Sequence, residues 1–162
     1  MASQVKNVGK VVAVPPIERF RGTIEDLLNW VEYLLKVLKK KSLSEIDPSI
    51  ANFVRFFLGA ISDENLVTGF MLRSYPHWKE IEEKNQKFFL QSADDIFAEL
   101  PKDKVRTFAM LVTVKDKAGQ PGVPAEDLEE IWKMFQVLVK AGKDYFVEKR
   151  KTNPKYYPEI KF

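Results

Sequence analysis

Apolar residues recur at steps of three and four through most of the chain, the spacing of helices that each bury one face. Ile24, Leu27, Leu28, Val31, Leu34, Leu35 and Leu38 mark the first such face, with Trp30, Tyr33 and Val37 as a second stripe beside it. Thr23 with Asp26 three residues on reads as a capping pair, and Lys39, Lys40 and Lys41 place cations where a helix C-terminus favours them. Asp47-Pro48 is a second start signal, an acid followed by a proline preset for the first turn. Ile50, Phe53, Val54, Phe56, Phe57, Leu58 and Ile61 follow, apolar around most of the circumference, which predicts a central, heavily buried helix. Ser62-Asp63 opens a short helix through Leu66, Val67, Phe70 and Met71. Ser74 reads as the cap of the next, carrying Trp78 and Ile81. A break between Asn85 and Ala93 divides these from Ile96, Phe97 and Leu100, with Phe88 and Phe89 between. Pro101 stops that segment and Asp103 starts another, with Val105, Phe108, Ala109 and Val112 inward.

The segment KDKAGQPGVP, Lys115 to Pro124, holds two glycines and two prolines in ten residues and is the clearest loop. It leads into the longest pattern, from Pro124 to about Lys151, in which Leu128, Ile131, Trp132, Phe135, Leu138, Val139, Gly142, Tyr145 and Phe146 share one face. Acids occupy its start and Lys149, Arg150 and Lys151 its end, again matching the helix dipole. No strand periodicity competes. The expected fold is all-α: a single compact bundle of six or seven helices over residues 23–152. An extended N-terminal arm (1–22) and an extended C-terminal tail (153–162) flank it. The Pro15-Pro16 pair excludes a helix running through that point.

Composition narrows the functional classes. With 45% hydrophobic and 30% charged residues over 162 positions, the chain can bury one sizeable core. It has no cysteine, which excludes disulfides, thiolate metal sites and thiol nucleophiles, and favours an intracellular location. No apolar run approaches the roughly 20 residues of a membrane span, so no membrane association is expected. The net charge of +3 divides into basic ends and an acidic middle, a weaker excess than nucleic-acid binders usually carry.

No catalytic, cofactor-binding or metal-ligating residue stands out. His77, the sole histidine, has no second histidine or cysteine to share a metal, and no acid lies three residues before it to form a Glu-x-x-His pair. Ser74 lacks a nucleophile elbow, and Gly9 and Gly119 lack the phosphate-loop pattern. The acids from Glu80 to Glu99 read as solvated helix faces. The ends are more informative. Val12, Val14, Ile17 and Phe20 at one end, and Tyr156, Tyr157, Ile160 and Phe162 at the other, are too apolar for solvated tails. They either fold back across the helices or dock on a partner protein or a second copy. The alternative is nucleic-acid association, with Lys39, Lys40, Lys41, Lys149, Arg150 and Lys151 contacting phosphates.

One resemblance bears on this choice. Ser74, Trp78, Ile81, Phe88, Phe89, Ile96, Phe97 and Pro101, followed by Ile131, Trp132 and Phe135, form a pattern that resembles small helical proteins of unassigned function from nucleocytoplasmic large DNA viruses. It covers roughly the C-terminal half and consists mostly of core-type residues. The resemblance implies no catalytic residue or cofactor. It implies a viral protein, a minor virion component found in the host cytoplasm or in the virion. The expectation is a non-enzymatic structural or interaction protein.

Overall fold

The structure, a computed structural model, describes residues 14–85, 92–111 and 113–155. Its elements are α1 (Pro16–Lys40), α2 (Ile50–Gly59), α3 (Asp63–Ser74), a single 3-10 turn (Tyr75–His77), α4 (Trp78–Glu82), α5 (Ala93–Ile96), α6 (Lys102–Leu111) and α7 (Ala125–Arg150). Among the described residues there is no strand, only an isolated bridge between Lys115 and Pro121. The protein is an all-α bundle.

Its frame is the pair α1 and α7, the two longest helices and the most extensive helix–helix contact. Each turns a continuous apolar stripe to the other: Phe20, Leu27, Val31, Leu34, Leu35 and Leu38 from α1, Ile131, Phe135, Leu138 and Tyr145 from α7. Full burial of each such side chain contributes about 1.5–3 kcal/mol. The pair is antiparallel. Arg19 near the start of α1 donates to Asp144 near the end of α7 at 2.8 Å, and the Trp30 indole N–H donates to the Asp127 carbonyl at 3.0 Å, in the first turn of α7. Helices α3, α4 and α6 pack around this frame.

The first helix starts seven residues before Thr23, which corrects the 1–22 boundary of the arm. Pro15 is extended at the N-cap and Pro16 is the first helical residue. A proline at N1 gives up no hydrogen bond and already has a helical φ, so the Pro-Pro pair starts the helix instead of holding it off. Thr23 is consequently mid-helix and buried, its hydroxyl donating to the Arg19 carbonyl at 2.7 Å. Ser74 is likewise not a cap. It ends α3, is fully buried, and accepts the Trp78 indole N–H at 3.0 Å. Ser62 does cap α3, accepting from the Asn65 N–H.

Helix α2 departs most from expectation. Only Ala51 and Val54 are buried, while Phe53 is 46% and Phe56 82% exposed. It lies on the outside of the bundle with its main contact to α1, and Phe53 and Phe56 are left exposed.

Two start and stop signals also shift: α2 begins at Ile50, two residues after Pro48, and Pro101 stands just before α6, five residues beyond the end of α5. Lys84 adopts a left-handed conformation just beyond the end of α4. The break after Asn85, with Phe88 and Phe89, and Val112 lie outside the described residues, while Val105 and Ala109 of α6 are buried. In the loop before α7 the Asp116 carboxylate accepts the N–H groups of Ala118 and Gln120, both at 2.9 Å, and Gly119 takes a φ of +80°.

Candidate interaction surface at the chain ends

The partner-docking residues read from the sequence divide into three groups. Val12, Tyr156, Tyr157, Ile160 and Phe162 lie outside the described residues. Val14 is exposed, at 51%. Phe20 is a correction: it is 1% exposed, packed edge-on against Phe70 with ring centroids 5.4 Å apart, and so belongs to the core. Ile17 is partly buried against the same core. The helix that Pro16 starts points both side chains inward, so the apolar character of this stretch is helical packing.

Because α1 and α7 are antiparallel, Pro16 and Arg150 lie at the same end of the bundle. The N-terminal segment enters α1 and the C-terminal segment leaves α7 side by side. At this end Val14 and Val147 are exposed apolar residues, beside the exposed cations Lys149, Arg150 and Lys151. The Lys149 ammonium sits over the Tyr145 ring, 5.6 Å from its centroid. The sequence carries no signal for this juxtaposition, since Val14 and Val147 stand 133 positions apart and only the direction of packing joins them.

The same geometry separates the alternative, phosphate-contacting set. Lys39, Lys40 and Lys41 are exposed at the opposite end of α1, near Asp127 at the start of α7. A 26-residue helix is about 39 Å long, so the two basic clusters lie the length of the bundle apart and make no single patch. Burial raises the Asp127 carboxyl above its ordinary pKa, and the neighbouring acids Glu126 and Glu130 add to this against the opposing Lys41.

A second exposed apolar area lies on α2, where Phe53 and Phe56 face outward. The helix is fastened along its polar edge. Arg55 donates to Glu25 at 2.8 Å, to Asn29 at 2.5 Å and to Asn52 at 2.7 Å, and Arg21 donates to the Ile61 carbonyl at 2.7 Å and pairs with Asp63.

The residues weighed for catalysis are dispersed. His77 is half-buried in the 3-10 turn between α3 and α4. Glu99 pairs with Arg73, which also donates to the Ile96 carbonyl. Among the described residues no group of three or more His, Asp or Glu side chains is placed to hold a metal ion. No described helix is long and apolar enough to cross a membrane. Compared with known proteins, the chain matches no family model, no curated protein and no solved structure.

Proposed function

We propose that this is a non-enzymatic interaction protein whose helical bundle presents two terminal segments from one end to dock on partner proteins. The supporting observation is the shared exit of both segments beside exposed Val14 and Val147. Two apolar segments at one end act as a pair on a single partner surface, and tethering of this kind raises affinity beyond that of either segment. The resemblance to helical proteins of large DNA viruses supports a place as a minor virion component, in the virion or the host cytoplasm.

The test is truncation on either side of the described bundle. Removing residues 1–13 or 156–162 leaves the buried residues of α1 and α7 in place, whereas removing 1–20 would take Phe20 from the core. The expected result is unchanged far-ultraviolet circular dichroism together with at least a tenfold loss of association, measured by co-sedimentation with the native particle. Equal co-sedimentation of both truncated chains and the full chain would remove the terminal segments from consideration.

A further inference from the structure

Beneath α2 lies a partly open cavity of about 110 Å³ that the described residues leave unfilled. Its walls include Leu27 and Val31 of α1, Val54 of α2, Phe97, and Val105 and Phe108 of α6. Apolar cavities of this order, about 150 Å³ in an engineered case, stay dry and take up benzene-sized molecules. The opening is not uniformly apolar. Lys104, Glu99 and Thr107 also line it, and the Lys104 ammonium lies over the Phe53 ring, 5.1 Å from its centroid, bridging α6 to α2.

These three polar groups differ in what they offer a ligand. Glu99 is engaged by Arg73, and the Thr107 hydroxyl donates to the Asp103 carbonyl at 2.9 Å. Among the described residues, Lys104 has as partners its neighbour Asp103, itself largely exposed, at 3.3 Å, and the Phe53 ring. It is the one cation among the described residues lining the cavity.

We propose that this cavity binds the hydrocarbon chain of a small alkyl carboxylate, with the chain between α1, α2 and α6 and the carboxylate at Lys104. The hydrocarbon supplies the contacts that the unfilled space lacks, and each buried methylene contributes about 0.8 kcal/mol. The carboxylate adds a partly exposed ion pair, which sets selectivity more than affinity. This site is independent of the terminal segments and stands or falls without them.

Octanoate titrated into the full chain, followed by methyl NMR, tests the site. Saturable shifts are expected at Val54, Val31 and Val105, with intermolecular nuclear Overhauser contacts from the octanoate chain to the same residues. Octylammonium should bind at least fivefold more weakly, and Lys104→Gln should weaken octanoate about threefold to fivefold while leaving benzene uptake unchanged. Val54→Phe, which fills the space, should abolish the shifts. If that variant does not fold, the nuclear Overhauser contacts in the unaltered chain decide alone. Absence of saturable binding, contacts confined to Phe56 on the outer face, or equal binding of octylammonium would overturn the proposal.

Discussion

Single residues in this bundle are constrained by contacts that cross the core. Gly142 sits where α7 meets Met71 of α3, and a Cβ placed there would collide with the Met71 sulfur and come within 2.8 Å of its Cγ. Alanine is ordinarily favoured over glycine in a helix by about 1 kcal/mol. Here the contact wins, because Met71 is fully buried and has no free volume to retreat into. Gly142→Ala should therefore destabilise the protein by about 1–3 kcal/mol in urea denaturation. In a Met71→Ala background the same change should become neutral or stabilising, a reversal that a double-mutant cycle reads directly. Two acids should respond to pH with opposite signs. The Ser49 backbone N–H, then its hydroxyl, hold the exposed Asp47 carboxyl below its ordinary pKa. Its contribution is present above about pH 3.9 and is lost as pH falls through the lowered value. Asp127, raised chiefly by burial, favours the folded state most below about pH 3.9 and loses that contribution as pH rises through its raised value. Urea midpoints between about pH 2 and about pH 6 should show Asp47→Asn losing more stability at the higher pH. Asp127→Asn should gain relative to the parent over the same interval.

At the scale of elements, α2 buries far fewer of its apolar residues than α1 or α7. Its attachment depends on Arg55, whose side-chain partners are Glu25, Asn29 and Glu32 on α1 and Asn52 within α2 itself. Amide hydrogen exchange should show α2 opening at lower free energy than α1 and α7, because few of its apolar residues are buried. Arg55→Ala should accelerate exchange in α2 selectively and lower global stability by about 1 kcal/mol. Arg55→Lys should restore little, since one ammonium cannot reproduce the fork of donors that reaches Glu25 and Asn29 together. Uniform acceleration throughout the protein would show that α2 is integral to the cooperative core. The exposure of Phe53 and Phe56 also shows what an apolar helix pattern specifies. It fixes how many faces a helix can bury, while the number actually covered depends on which neighbours reach it.

At the scale of the whole molecule, the antiparallel α1–α7 pair decides what lies near what. The chain has no cysteine, so paired cysteine substitutions can be labelled without interference. Labels at Val14 and Lys155 should report a short separation, and labels at Lys41 and Lys155 one approaching the roughly 39 Å length of α7. Equal separations for the two pairs would contradict the antiparallel arrangement and with it the shared exit of the terminal segments.

The sequence by itself determined which segments are helical, because that information is local. Step-three and step-four apolar spacing, Ser62 at its cap, and acids and lysines at the two ends of α7 all act within a few residues. It determined less well where α1 begins, since Pro15-Pro16 is compatible both with an extended arm and with a helix starting at its second proline. Only the tertiary structure decided that Phe20 is core, that Phe56 faces outward, that the basic clusters lie apart and that both terminal segments leave from one end. It alone placed a cavity under α2. These depend on which faces of distant helices meet and in which direction they run, and a pattern of residues along the chain carries no direction in space.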